Sequence, residues 1–513
     1  MIRKCKAGDL QKRHIVSYVF MTTLSVAMAL STTCGLAVAQ SKSFPGRQPL
    51  SEYSARRKTL MQKCKDGITV LLGAHADDFD DAARFRQRSN FMYLTGVEVP
   101  GAYLMLIPEG FSPESPAREI LFLPPRNPYE EAWTGEQVGA GPEAVQIFGV
   151  REVESADKFY ARLFDILLSA PYKVERPGEQ TPPRLYIIAP RTTTSQQLRE
   201  SRFVDLILRA APQVTMVNIT PQLSEMRKVK SQPELDMIQK AIDITTLGIR
   251  AASAAIKPGG YEYEVRGEIE SSFLKAGSER TGFASIIGSG QNSTVIHSNQ
   301  NRKMIEPGDI VVVDVGAEHG YYNGDLSRTF PATGKFTPRQ REIYQLVLDA
   351  QRAAEQFLKP GQTTMKQLER AAIDFMKASP VRDKHGNTVE KYFNHGIGHW
   401  MGMETHDPGD YAKPIPVGAV FTIEPGIYIP EEKIGVRIED DYLVTETGLV
   451  KMSRDLPSEA DEIEKMMAAA KSGTSQKARS STGGGTTQKP LRPPSKSERP
   501  AARKHGDLSI LAF

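Results

Sequence analysis

Cysteine is nearly absent from this chain. It has three in 513 residues, and two of them, Cys5 and Cys34, fall in the first 39. The thiol left over, Cys64, has no partner, which excludes an internal disulfide framework. Charge of one sign is missing as well. Lys and Arg number 65 against 61 Asp and Glu, so the body of the chain gives no reason to expect a nucleic-acid partner. Long apolar runs are confined to the first 39 residues, and no tandem solenoid or heptad repeat is visible. Histidine is sparse at nine, so a cluster of histidines carries information.

The apolar run has a context. Arg3, Lys4, Lys6, Lys12 and Arg13 precede a stretch that ends Ala37-Val-Ala39, the pattern of an export signal with a small-residue cleavage site. An uncleaved anchor is the competing reading, but the Ser and Thr content makes Ile15 to Ala39 a poor permanent span. Residues 1–39 are therefore read as a signal peptide, with the mature chain exported to the periplasm or secreted and holding no stable membrane span. Ser31-Thr-Thr-Cys34 is a poor lipidation site. At the other end, residues 472–513 are rich in Ser, Gly, Pro, Lys and Arg, a composition that buries too little apolar surface to fold and reads as a disordered basic tail.

A chain of this length is expected to hold two domains. Between residues 45 and 220, short apolar strands such as Ile68-Thr-Val-Leu-Leu-Gly and Glu119-Ile-Leu-Phe-Leu alternate with helical stretches, predicting an α/β domain. Ser231-Gln-Pro-Glu234 is a capping box that opens a long helix. It begins a second domain, 225–470, in which helices at 263–276, 338–358 and 365–378 alternate with strand pairs.

Those strand pairs carry acids. Asp314 ends the run Ile310-Val-Val-Val-Asp and Asp325 follows Gly320-Tyr-Tyr-Asn-Gly. A two-residue turn at His319-Gly320 sets the two carboxylates opposite each other, with Cβ atoms roughly 4.5–5.5 Å apart. A turn at Glu431-Glu432 does the same for Glu424 and Glu439, with an interruption expected at Pro425-Gly426. Arg437 shares the face of Glu439. Carboxylates that close repel unless cations lie between them, so the pattern predicts a metal site. The nitrogen ligand comes from the segments Gly288 to His297 and His395-Gly-Ile-Gly-His399-Trp-Met-Gly-Met-Glu-Thr-His406, whose glycines argue for a loop rather than a helical zinc motif.

Asp314, Asp325, His399, Glu424 and Glu439, with the strings Asn394-His-Gly-Ile-Gly-His-Trp, Ile423-Glu-Pro-Gly-Ile-Tyr and Val436-Arg-Ile-Glu-Asp-Asp, resemble the peptidase family that contains aminopeptidase P, prolidase and methionine aminopeptidase. The resemblance spans about residues 225–455. It implies an α+β pita-bread catalytic domain with two divalent ions, for which carboxylate-rich ligation with one histidine favours Mn²⁺, with Co²⁺, Zn²⁺ and Fe²⁺ as alternatives. It implies that Asp314 chelates one metal and that Asp325 and Glu439 bridge both. His399 and Glu424 complete the other, with Glu424 also handling a proton. His297 and His406 resemble histidines that contact substrate and oxyanion, and His395 one that lines the pocket. Tyr428 and Arg437 resemble residues that support the site. A homo-oligomer, dimer or tetramer, is implied too.

Phe85-Arg-Gln-Arg-Ser-Asn-Phe-Met-Tyr-Leu-Thr-Gly resembles the non-catalytic N-terminal domain of aminopeptidase P and prolidase, a domain that methionine aminopeptidases lack. Met92 stands there in place of a tryptophan, which puts a substrate contact at that position in doubt, and Trp133 is expected in the core. The implied activity is hydrolysis of the N-terminal Xaa-Pro bond of peptides with proline second. Prolidase, restricted to Xaa-Pro dipeptides, is the alternative within the class. A non-catalytic pita-bread binding module is the alternative outside it.

Overall fold

The near-continuous apolar strands of the first half arise because their sheet is covered on both faces. The computed structural model describes residues 47–78, 84–111, 118–169, 173–176, 179–181, 184–189 and 195–471. The expected signal peptide and basic tail lie outside the described residues. The chain divides into Met1–Arg47 and a body Gln48–Phe513, and the elements below belong to the body. Among the described residues no helix is long and apolar enough to cross a membrane.

Six strands form the first sheet, in the order Glu152–Ser155, Arg118–Leu123, Tyr103–Ile107, Gly67–Leu72, Arg184–Ile187 and Thr215–Asn218. The central pairs are antiparallel and the outer ones parallel. Side chains alternate strictly between the two faces. Ile68, Val70, Met105 and Phe122 meet Phe159, Leu163 and Phe203 on one side. Leu71, Leu104, Leu106 and Leu121 join Leu60 and Phe91 on the other. Met92 faces this second core and is 8% exposed, which makes it a packing residue. Trp133 reverses expectation: it is 77% exposed on the helix Pro128–Thr134, which buries none of its residues. Among the described residues its one aromatic neighbour is Tyr129, with ring centroids 6.4 Å apart. A seven-residue helix with no apolar stripe has no face to press into a core.

The second half begins as predicted with the helix Gln232–Ala255. The Glu234 carboxylate accepts the Ser231 N–H at 2.9 Å and turns inward to Arg56, 3.3 Å away, and to the Tyr322 hydroxyl at 3.0 Å. The box therefore opens one helix and also ties it to Leu50–Lys63, the first helix among the described residues. Helices Glu262–Lys275, Pro338–Phe357 and Met365–Ala378 match their predicted spans within a residue or so.

The hairpin register differs from expectation. Glu318 pairs with Asn323 and His319 with Tyr322, so the turn is Gly320–Tyr321, and Asp314 pairs with Ser327 rather than with Asp325. Both turn residues have positive φ, 56° and 71°, the two-residue turn whose twist suits a hairpin. Tyrosine tolerates that conformation poorly, and tertiary contacts hold it there. Its hydroxyl donates to Glu98 at 2.8 Å and accepts the Gln87 N–H at 3.0 Å, while the Arg86 guanidinium lies 4.9 Å over its ring. Because strands have a period of two, the displaced register leaves Asp325 on the face of Asp314, now as a diagonal neighbour.

The second acidic pair keeps its predicted register. Ile423 pairs with Asp440 and Gly426 with Arg437, so Glu424 and Glu439 stand abreast in a gap at Pro425 that adds no residue. An antiparallel bridge from Ser327 to Glu439 joins the two strand systems and brings the two halves of the site together.

Candidate metal centre and active site

Asp325 enters the site from the turn before the strand Leu326–Pro331, its N–H bound by Asp441 Oδ2 at 3.1 Å. Glu439 is held by Ser327, whose hydroxyl donates to Oε2 at 2.8 Å and accepts Arg437 Nε at 3.1 Å. His399 lies in an irregular segment that runs alongside the strand Val420–Ile423. Thr422 N–H donates to the His399 carbonyl at 2.9 Å, Met401 N–H to Val420 at 3.0 Å, and Glu424 N–H to Ile397 at 2.8 Å. Gly398 makes that approach possible, since a Cβ there would overlap the Thr422 carbonyl.

One ligand atom from each of Asp325, His399 and Glu439 lies within 4.8 Å of the other two. His399 Nε2 is 3.4 Å from Asp325 Oδ2, 3.7 Å from Glu424 Oε1 and 3.8 Å from Glu439 Oε1. Asp314 stands outside this trio with Oδ2 on the Arg437 guanidinium at 2.6 Å. All five line one cleft of about 980 Å³, together with His297, His395 and His406.

The electrostatics of this group call for positive charge. Burial, then Asp314 and Asp441, pushes the Asp325 carboxyl well above its ordinary range. Burial, then Asp325 and Glu424, does the same for Glu439. Burial pushes Glu424 up to about 7 against the pull of His399 and Arg437. Asp314 Oδ1 and Asp325 Oδ1 are buried without a hydrogen-bond partner. Oxygen-rich donors, one imidazole and lone pairs left over are what a divalent cation needs, so the residues fit a divalent metal ion.

His395 and Tyr428 form a short relay beside it. Arg437 donates to the Tyr428 hydroxyl at 2.7 Å, that hydroxyl lies 2.9 Å from His395 Nε2, and His395 Nδ1 is 2.8 Å from the Gly396 carbonyl. Burial and then Arg437 lower His395 to about 4. The ring is thus neutral, with Nδ1–H donating to the carbonyl and Nε2 accepting from tyrosine. His406 packs edge-on against His399 with centroids 4.3 Å apart. His297 follows Ile296, whose carbonyl Arg437 also reaches at 3.3 Å.

Sequence reasoning missed the buried supports. Arg328, beneath Ser327, donates to the Glu439 carbonyl at 2.8 Å and to Asp440 at 2.7 Å. Asp441 backs Asp325. The string Glu439-Asp-Asp was the available signal for Asp440 and Asp441, which lie on the buried strand Asp440–Thr445. Also missed was Arg86, which reaches this cleft from the first half.

Comparison with known proteins agrees with this architecture. Residues 236–446 match metallopeptidase family M24, and residues 53–174 match the aminopeptidase P N-terminal domain. The chain is 32% identical to a Xaa-Pro aminopeptidase of Haemophilus influenzae over 451 residues, covering 83% of this chain and 99% of that one. It is 31% identical to the Xaa-Pro aminopeptidase of Escherichia coli over 82% of this chain and 98% of the relative. Among solved structures, Pseudomonas aeruginosa aminopeptidase PepP superposes with a TM-score of 0.73 at 30% identity, covering 83% of this chain and 99% of that one. The zinc-substituted E. coli aminopeptidase P in complex with product gives 0.71 at 28%, covering 83% and 99%. An α/β N-terminal domain followed by an α+β pita-bread domain is thus the shared fold, and the chain belongs to metallopeptidase family M24, among the aminopeptidases P.

Proposed function

We propose that this chain is a metal-dependent exopeptidase that hydrolyses the N-terminal Xaa-Pro bond of a peptide and releases the first residue. The observation that carries the reading is the convergence of Asp325, His399 and Glu439 on one point in a cleft lined by three further histidines. In this reading Asp314, Asp325, His399, Glu424 and Glu439 hold two divalent ions, Mn²⁺ by ligand type. When bound, such ions would supply Lewis acidity and lower the pKa of a water. Glu424 takes up a proton and returns it to the departing nitrogen. That nitrogen is proline's, which has no N–H before cleavage, so its proton must be delivered. His297 and His406 donate to the carbonyl oxygen as charge gathers there. The Arg437–Tyr428–His395 relay keeps the pocket wall in place.

A cleft of about 980 Å³ is large for a dipeptide, since whole drug-sized ligands occupy roughly 300–1,000 Å³. Its size supports the aminopeptidase over the dipeptide-restricted prolidase. The test is hydrolysis of Arg-Pro-Pro, Arg-Pro and Arg-Ala-Ala by protein dialysed against chelator and reloaded with Mn²⁺, Zn²⁺ or Co²⁺. Metal-dependent release of arginine from Arg-Pro-Pro, and little from Arg-Ala-Ala, is expected. Cleavage of Arg-Pro alone would make it a prolidase, and survival of all three despite bound metal would favour a binding module.

Export and self-assembly into a dimer or tetramer are part of the proposal. The first rests on residues 1–39 and the second on the family. A mature N-terminus at Gln40 is the expected result for the exported chain, and one at Met1 would contradict it.

A further inference from the structure

The cleft carries a second charged group further along one wall. The strand Arg280–Thr281 pairs with Ala317–His319 and sets Arg280 abreast of Glu318. Six residues on, Ile286 is abreast of Asp314 at the metal centre. At about 3.3 Å per residue these two points are at most roughly 20 Å apart, within the reach of an extended peptide of a few residues.

Glu318 is 2% exposed and lies between two guanidiniums, 2.8 Å from Arg86 Nε and 3.2 Å from Arg280 Nε. Arg86 is fully engaged. It also donates to Ser89 Oγ at 3.2 Å and to the Met403 carbonyl at 2.8 Å, and it covers the Tyr321 ring, so it acts as a clamp between the two halves of the body. Arg280 differs. One terminal nitrogen donates to the Phe85 carbonyl at 3.3 Å, and the other has no partner among the described residues. The side chain keeps 23% of its surface exposed in the cleft wall. Glu318 faces two cations here, and Glu279 adds a second negative charge nearby. Glu404, the other acid on this wall, faces Arg227 at 3.6 Å.

We propose that Arg280 receives the C-terminal carboxylate of a short peptide whose N-terminal bond lies at the metal centre, so that the enzyme prefers short free-acid peptides to amidated ones. The proposal rests on the aminopeptidase reading above. A guanidinium with one unengaged terminal nitrogen in the cleft wall can donate to a carboxylate and matches it in charge. Glu318, already shared with Arg86, holds Arg280 in place.

The experiment measures kcat/KM on Ala-Pro-(Ala)n peptides, n from 1 to 4, each as free acid and as C-terminal amide. It uses the metal-loaded full chain, Arg280→Gln and Arg280→Lys. At the length that spans the cleft, the unaltered enzyme should favour the acid by roughly ten- to hundredfold, the range a hydrogen bond to a charged group supports. The difference should lie in KM rather than kcat. Arg280→Gln should bring the acid-to-amide ratio near one, and Arg280→Lys should restore part of it. The ratio is taken within one preparation, so partial misfolding of a variant cancels. Equal cleavage of acid and amide at every length by the unaltered enzyme overturns the proposal and leaves the aminopeptidase reading standing. A preference that persists unchanged in Arg280→Gln removes Arg280 from the role. No cleavage of any of these peptides overturns both readings.

Discussion

Asp325→Asn, and independently Glu439→Gln, is expected to yield a folded chain that turns over Arg-Pro-Pro at background rate. The loss should exceed the roughly 10–100-fold that removal of an outer hydrogen-bond partner costs a metal site. Each amide keeps the shape and part of the bonding of the acid it replaces. In Glu439→Gln the Ser327 hydroxyl still has an oxygen to donate to, at the site where it now lies 2.8 Å from the carboxylate. What is lost is charge. Burial and mutual repulsion already push both carboxyls well above their ordinary range, so without metal the amides should leave the melting temperature unchanged or raise it. With metal, the unaltered protein should gain stability by mass action, and the variants should gain much less. Activity and metal-induced stabilisation therefore fall together while the metal-free fold does not. Near-normal turnover in either metal-loaded variant would sink the ligand assignment, and collapse of the metal-free fold would recast these acids as structural.

Arg328→Met should produce the largest loss of stability. The Arg328 guanidinium is fully buried and donates to Asp440 at 2.7 Å and to the carbonyls of Ser327, Glu439, Leu456 and Pro457 at 2.7–3.2 Å. Methionine fills a similar volume but leaves four carbonyls and a buried carboxylate short of a partner, which costs about 3–5 kcal/mol. Two of those carbonyls belong to Ser327 and Glu439, so metal affinity should weaken as well.

The same variant has a pH signature. Burial pushes the Asp440 carboxyl up, but Arg328 and Lys451 outweigh it and hold it below its ordinary value. A depressed carboxyl contributes stability above its unfolded pKa, about 3.9, and loses it as the pH falls through the folded value. Removing Arg328 raises the folded value, so urea unfolding should show the acid limb shifted to higher pH. An unchanged melting temperature and acid limb would mean that Lys451, 2.6 Å from Asp440 Oδ2, and Ser453 hold the carboxylate unaided.

Much of the site was legible in the strand pattern. The β-branched runs ending at Asp314 and Glu424, together with the period of two, assign their acids to one face with no knowledge of the fold. Glu424 and Glu439 stay abreast because their register depends on a local turn and survives the gap at Pro425. The helix opened by Ser231 begins where its cap predicts, because capping is a contest between neighbours in sequence.

Elsewhere distant partners decided. The hairpin turn moved from His319-Gly320 to Gly320–Tyr321 because Glu98, Gln87 and Arg86 grip the tyrosine in a conformation it would not choose alone. Trp133 read as core from its side chain and is exposed, because its short helix has no second layer to meet. Arg328, Asp440 and Asp441 are buried where two strand systems meet at the Ser327–Glu439 bridge. By itself the sequence determined the elements, the face each acid occupies and the kind of ligand available, because these depend on propensities and periods within about ten residues. Only the tertiary structure decided which acids converge and which arginines neutralise them, because those energies arise between groups tens to hundreds of residues apart.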